Sequence, residues 1–432
     1  MPPFIKHSVV SILSREASLV LSRHKPRVIA VSGSVGKTAT KDAIYAALSS
    51  RLHVRKSEKS MNSEFGVPLA ILGLSSGWRN PFKWAWIIGK GLLIAATGKM
   101  YPKWLVLEVG ADRPGDIRRI AKWVRPDIVV LTHVPEIPVH VEFFDSPQAV
   151  VEEKRSLVEY LRPGGTLIVN GDDLLLKDGL RNFTGARISY GVEEFNDFFA
   201  NDIVIAYDEA GNPEGMKFQL NHEGTTLPVV LHGSLGLPRV YSALAAIATA
   251  KISGISLDDA VRALSTWEPP LGRMRILPGI KGSVIIDDTY NSSPTAVYAA
   301  LDTLSDILAK RKIAVLGDML ELGKYSADAH RNVGTRAATA ADILWTVGIR
   351  SRVTGEAALD TGMKDKNVRE YELSESRRAG KELESILKPG DVVLIKGSQS
   401  LRMERVVLEI MAEPQKAHEL LVRQDSEWLS RQ

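Results

Sequence analysis

The chain has 432 residues, 44% hydrophobic and 25% charged, which is enough apolar material for a large core in two or three domains and excludes a disordered chain. Lysine and arginine number 55 against 51 acids, and the net charge of +4 is too small to mark a nucleic-acid binder. No cysteine occurs, which excludes disulfides, thiolate metal sites and cysteine nucleophiles and fits a reducing compartment.

From the N-terminus, Ile5, Val9, Ile12, Leu13, Leu19 and Val20 recur at helical spacing, so residues 1–26 read as a leading helix that Pro26 ends. Arg15 and Glu16 interrupt its apolar run and no small-residue cleavage site follows. It is therefore not a signal peptide, and the protein reads as cytoplasmic. Next come short apolar runs, RVIAVS, WLVLE, DIVVLT and TLIVN, separated by amphipathic helical stretches. That alternation predicts a parallel sheet covered by helices on both faces. Between residues 186 and 232 the helices vanish and RISYG, DIVIAY, MKFQL and TLPVVLH follow one another, which predicts a small antiparallel meander.

After a helix near 239–252, the segment TWEPPLGR carries two prolines and a glycine and marks a domain boundary. A second series follows, with strands SVIIDD, KIAVLG, DILWTV and DVVLIKG and helices near 294–309, 326–340, 376–388 and 400–412. The predicted units are 27–270, with an insertion at 74–102, then 271–412, then a polar tail at 413–432 that is a helix or loose.

SGSVGKT, residues 32–38, lies directly between a strand and the helix starting at Ala39. In that context a glycine-rich turn offers backbone N–H groups and a helix N-terminus to phosphate. Gly33 and Gly36 permit close approach, with Ser34 and Val35 between them. Lys37 supplies a cation for the terminal phosphates, and Thr38 a hydroxyl for Mg²⁺. Residue 31 is valine, so the short form GxxGKT is met and the longer GxxxxGK[ST] is not.

With that loop in place, further blocks resemble the ATP-dependent Mur ligases of peptidoglycan synthesis, in particular the branch that adds D-alanyl-D-alanine. They are NSEFGVPLAIL, LEVGADRPGDI, HVEFF, EEKRSL, LIVNGDD, LGR, IDDTYNSSP, LGDMLELG and IKGSQSLRMERVV, in that order from about residue 62 to 407. The resemblance implies an α/β fold: a central P-loop ATPase domain with a parallel sheet and the small meander, followed by a Rossmann-like C-terminal domain. It also implies a reaction, in which a substrate carboxylate takes the γ-phosphate of ATP and an amine displaces phosphate from the acyl phosphate. The implied substrates are a UDP-N-acetylmuramoyl-tripeptide and the dipeptide. The implied enzyme is a monomer that binds no nucleic acid.

Site roles follow from the same resemblance. Thr38, Glu108 and His140 are expected at Mg²⁺, together with Lys154 carbamylated by CO₂. Asp288 and Asn291 are expected at the nucleotide and Arg273 at the phosphates. Asn62, Asp318, Glu321, His330, Lys396 and Ser398 are expected to contact substrate. Local chemistry alone does not single out Lys154, because at an ordinary pKa near 10.4 roughly one lysine amine in two thousand is neutral at pH 7 and able to meet CO₂.

Two departures stand out. Where the family has GxHNxxN for adenine, this chain has GLPRVYSAL, with Pro238, Arg239 and Ser242. Only about 27 residues precede the first strand, so the usual N-terminal UDP-binding domain is expected to be missing. The insertion at 74–102 carries Trp78, Trp84 and Trp86 with Lys83, Lys90 and Lys99. That composition suits peripheral contact with a membrane, or else a helical hairpin packed on the ATPase domain. The alternatives to the main reading are a similar ligase for another acid and amine, and a non-catalytic nucleotide-binding partner of a wall-synthesis complex.

Overall fold

The computed structural model describes residues 3–58, 61–77, 80–97, 100–138 and 140–430. The first unit begins with α1 (Pro3–His24), β1 (Arg27–Ser32), α2 (Lys37–Ser49), β2 (Val54–Lys56), α3 (Gly66–Leu72), α4 (Pro81–Thr97) and β3 (Trp104–Glu108). It continues with α5 (Asp116–Val124), β4 (Ile128–Leu131), α6 (Pro147–Arg155), β5 (Thr166–Asn170), α7 (Leu174–Gly179) and β6 (Ala186–Gly191). Strands β7 (Phe198–Tyr207), β8 (Pro213–His222) and β9 (Thr225–His232) and helices α8 (Leu237–Ile252) and α9 (Leu257–Ser265) close it. Its nine-stranded sheet has the order β2-β3-β1-β4-β5-β6-β7-β8-β9.

Successive side chains along a central strand point to opposite faces and here enter two different cores. In β1, Ile29 and Val31 join the core under α2 and α8, while Val28 and Ala30 join the opposite core with α1 and α3. Both faces are covered, which is why these parallel strands read as unbroken apolar runs. The predicted meander needs correction: β6 pairs in parallel with both β5 and β7, and only β7, β8 and β9 run antiparallel. All of them continue the main sheet, because Tyr190 and Phe198 bury against α8 and leave no separate layer.

The second unit holds β10 (Arg275–Pro278), β11 (Val284–Asp288), α10 (Pro294–Asp306), β12 (Arg311–Gly317), α11 (Ser326–Ala340) and β13 (Ile343–Val347). Then come α12 (Arg352–Asp360), β14 (Val368–Tyr371), α13 (Ser376–Ile386), β15 (Asp391–Lys396) and α14 (Glu404–Ile410). Its six-stranded sheet, β10-β11-β15-β12-β13-β14, is parallel except at β10. The C-terminal segment is not a loose tail. Leu421, Val422 and Arg423 are buried, with Leu421 in the second unit's core.

Among its described residues the insertion forms one helix, α4, packed on α1 rather than on a second helix of its own. Trp78 and Lys99 lie outside the described residues. At this contact Glu16 is almost wholly buried, and neither carboxylate oxygen has a hydrogen-bond partner among the described residues. Gly91 makes room for it, since a Cβ there would stand 2.2 Å from Glu16 Oε2. Burial raises the Glu16 pKa from 4.5 to about 7. The folded chain thus holds this proton more tightly than the unfolded chain, so the stability it contributes is full at low pH and is lost as pH rises toward 7. Glu16→Gln is expected to melt at a higher temperature than the parent at about pH 8 and close to it at about pH 5, where the parent is already protonated. Thermal melts at the two pH values check this.

Candidate active site

The carboxyl ends of β1, β3 and β4 meet at one edge of the first sheet, where open α/β folds leave a crevice. Gly33 leaves β1 at φ 143°, and a Cβ there would lie 2.0 Å from Thr132 Oγ1, so only glycine fits. The loop is then pinned to the end of β4 by Ser34 N and Val35 N, which donate to His133 O at 2.9 and 3.1 Å. Gly36 caps α2, whose free backbone N–H groups open onto the crevice. The Lys37 ammonium donates to Gly33 O at 2.9 Å and Ser34 O at 3.2 Å. Burial lowers its pKa, and Arg273 lowers it further while Glu108 opposes the shift.

Glu108, at the end of β3, is 1% exposed. Its oxygens accept from Thr38 Oγ1 and Asn62 Nδ2, both at 3.0 Å, and Lys41 Nζ stands 3.9 Å away. Ser57 Oγ accepts the Glu108 backbone N–H at 2.9 Å. Asn62 therefore orients Glu108, a role the sequence blocks do not disclose. The His140 ring lies 2.7 Å from Glu321 Oε2 of the second unit through Nδ1, and 3.8 Å from Asp112 through Nε2. The contact with His140 holds the Glu321 carboxyl below its usual range. Both residues have positive φ, 68° and 64°, a costly conformation that non-glycine residues keep where the surroundings impose it.

Lys154 sits near the end of α6 and is 2% exposed. Burial, with the nearby Lys37 charge adding to it, pushes its pKa down to about 7. Local charge logic reads a lysine in VVEEKRSL as a solvated side chain; the fold instead turns it inward while Glu152 stays exposed.

From the second unit, Arg273 stacks its guanidinium 4.1 Å from the Tyr290 ring. Arg273, Tyr290 and Asn291 face Lys37, Thr38, Glu108 and His140 across a cleft of about 220 Å³. Asp288 is anchored by Lys396 Nζ at 2.6 Å and by the Met274 N–H at 3.2 Å. Lys396 also donates to Asn291 O at 2.9 Å, so it shapes the turn after β11. Three other residues expected at substrate also bond within the protein. Asp318 accepts from Ser351 N at 2.8 Å, and Ser398 Oγ from Leu320 N at 2.9 Å. His330 spends both ring nitrogens, Nε2 accepting from Met319 N at 3.0 Å and Nδ1 donating to Ser326 O at 2.7 Å. Burial lowers the His330 pKa, consistent with a neutral brace. All three buried side chains hold the loop that presents Glu321.

Behind the phosphate loop, Gly36, His133, Tyr190, Pro238, Tyr241 and Ser242 line a mostly apolar cavity of about 240 Å³. Ser242 Oγ is held by Thr40 Oγ1 at 3.1 Å, and Tyr241 OH donates to Asp172 at 2.7 Å. Arg239 turns away to donate to Trp267 O at 2.9 Å. The positions that depart from the family pattern therefore line this cavity or buttress it.

Arg423, which no sequence signal marked, closes the back of the turn after β11. Its guanidinium donates to Thr289 O at 3.0 and 3.1 Å and to Tyr290 O at 2.5 Å, and pairs with Glu404 at 2.8 Å. Arg423→Met is expected to raise KM for ATP several-fold more than it lowers kcat, with Arg423→Lys recovering part of the loss. Steady-state kinetics in ATP checks the split.

Oxygen donors from Thr38 and Glu108 suit Mg²⁺, which is usually held by one or two carboxylates together with substrate phosphates. Among the described residues no three His, Cys, Asp or Glu side chains gather closely enough to hold a metal alone.

A glycine-rich loop on a parallel sheet, facing a second α/β unit across a cleft of charged side chains, defines a two-domain P-loop nucleotide-binding protein. Residues 31–250 match the Mur ligase middle domain and residues 272–399 the Mur ligase glutamate ligase domain. The chain belongs to the Mur ligase family. The UDP-N-acetylmuramoyl-tripeptide–D-alanyl-D-alanine ligase of Bacillus subtilis is 29% identical over 94% of this chain and 80% of its own length. The ligase of that name from Synechocystis is 30% identical over 89% and 75%. The crystal structure of MurF ligase from Thermotoga maritima in complex with ADP superposes with a TM-score of 0.77 at 26% identity, covering 94% of this chain and 84% of that one.

Proposed function

We propose that the chain joins D-alanyl-D-alanine to UDP-N-acetylmuramoyl-tripeptide in the cytoplasm, through an acyl phosphate on the tripeptide. It works as a monomer on these small molecules, with a peripheral membrane contact through residues 74–102. The observation that carries the reading is the cleft in which Lys37, Thr38, Glu108 and His140 face Arg273 and Asn291, in a chain whose relatives bear that name over most of their length.

ATP with Mg²⁺ supplies the phosphoryl group and neutralises charge as two anions meet. The backbone of Gly33, Ser34, Val35 and Gly36 cradles phosphate oxygens, and Lys37 and Arg273 bind them from opposite walls. Thr38 and Glu108 hold the ion, with His140 beside them. Asp288 and Asn291 hold the sugar side of the nucleotide, and the cavity under Tyr241 takes its base. Lys154 acts as a carbamate: its neutral amine adds to CO₂, a C–N bond forms and one proton is released, leaving an anion. With its pKa at about 7, roughly half of the side chain is neutral at pH 7, against one in two thousand for an ordinary lysine.

Phosphate release by the purified chain, with product identified by mass, tests the assignment. Release is expected only when nucleotide-linked tripeptide and dipeptide are both present. Release driven by a different acid and amine, or none with any pair, would sink it.

A further inference from the structure

We propose that α4 is a membrane-surface helix that seats the protein on a bilayer rich in anionic lipid. This develops the peripheral contact named above and does not depend on the ligase chemistry.

The helix is apolar on two opposite faces. Trp84, Ile87, Gly91 and Ala95 are buried, at spacings of three, four and four residues, and this stripe packs on α1. At 100° per residue, Phe82, Trp86, Gly89 and Leu93 fall on the opposite side. They form a ridge that none of the described residues covers, with Phe82 85%, Trp86 56%, Leu92 55% and Leu93 59% exposed. A soluble surface helix normally turns charge outward; this one turns out large side chains suited to the boundary between headgroups and acyl chains. Its 17 residues extend about 25 Å, and no described helix is long and apolar enough to cross a membrane. The geometry is that of a helix lying on the surface.

Charge selects the occupant. No Asp or Glu occurs between Glu64 and Glu108. Lys83 and Lys90 run along one flank of the ridge, the Lys90 ammonium standing 4.6 Å from the Trp86 ring, and Lys103 is exposed just beyond. On α1 the sole acid is Glu16, which is buried, while Arg15 and Arg23 are exposed. Cations beside an apolar ridge, with no carboxylate among them, match a negatively charged lipid surface. A second copy fits poorly, because a two-fold contact through α4 would bring lysines together with no acid to meet them.

The test is sedimentation of the full chain with vesicles of phosphatidylcholine alone, or mixed with phosphatidylglycerol. Binding to the mixed vesicles is expected to be at least about tenfold tighter and to weaken as salt is raised. Phe82→Ser with Trp86→Ser and Leu93→Ser should lose that binding, and Lys83→Gln with Lys90→Gln should lose the preference for anionic lipid. Because these side chains are exposed, both variants should keep the parent melting temperature and the parent rate of phosphate release with soluble substrates. Equal affinity for the two vesicle types, or no binding to either, would overturn the proposal. So would a concentration-dependent dimer that the triple serine variant dissolves. A chain that binds anionic vesicles but turns over no substrate would overturn the ligase reading and leave this one standing.

Discussion

Lys37→Ala is expected to abolish ATP-dependent ligation, lowering kcat/KM by about 10³-fold or more, while the melting temperature moves by only a few degrees. A loss of that size corresponds to about 4 kcal/mol of transition-state stabilisation. The two halves of the prediction have different physical sources. Stability changes little because, among the described residues, the ammonium hydrogen-bonds to two backbone carbonyls, Gly33 O and Ser34 O; its removal deletes a buried charge along with the hydrogen bonds that compensate it. Gly33 and the bonds from Ser34 and Val35 to His133 keep the loop in shape without the lysine. Activity falls because charge gathers on the phosphoryl group in transfer, and a cation fixed in a desolvated cleft interacts far more strongly than one in water. Stopped turnover with the fold intact, by phosphate release and thermal melt, is the expected pair of results. Retained turnover would mean that residues 33–38 are not the phosphate loop.

How far the sequence disclosed this site depends on what each signal measures. Apolar runs such as WLVLE and DVVLIK were legible because strands buried on both faces leave no polar position. The edge strands β2, β10 and β14 were not, since VRK, RILP and VREY carry exposed or half-buried charges along rims of the sheets. The meander was misjudged at β6 because parallel and antiparallel strands share one side-chain period, and nothing in ARISYG records the direction of its neighbour.

Among polar residues the limit is of a different kind. A block such as LGDMLELG shows that its residues matter together without showing which face the ligand. Asp318 turns to a backbone amide and Glu321, three residues on, reaches across to His140. Arg423 carries no local signal because its role depends on contacts distant in the chain: it meets carbonyls more than 130 positions away. Lys154 is the extreme case, since its depressed pKa comes from burial and from Lys37, neither of which is written in VVEEKRSL.

That origin yields the second large effect. Lys154→Ala is expected to lose activity by about 10²-fold or more, and a short carboxylic acid such as formate or acetate should restore part of it by filling the vacated space with an anion. Removing dissolved CO₂ should lower the parent's activity and leave the variant's residual activity unchanged. The pH dependence has a definite sign. A lysine whose folded pKa is about 7 is mostly protonated below that value, so CO₂ capture slows and the carbamate reverts as pH falls. Activity after acid exposure should therefore recover slowly on return to about pH 8, and faster when bicarbonate is added; Lys154→Ala rescued by acetate should show no such lag. The alternative is that Lys154 stays an unmodified amine that only fills space, and it predicts the opposite pattern. Burial destabilises a lone ammonium beside Lys37, so a neutral replacement such as Lys154→Met would then keep activity and gain stability, with no response to acetate or CO₂. Measuring the two variants side by side, with and without added carboxylate, separates an anion that serves the reaction from an amine that merely fills the core.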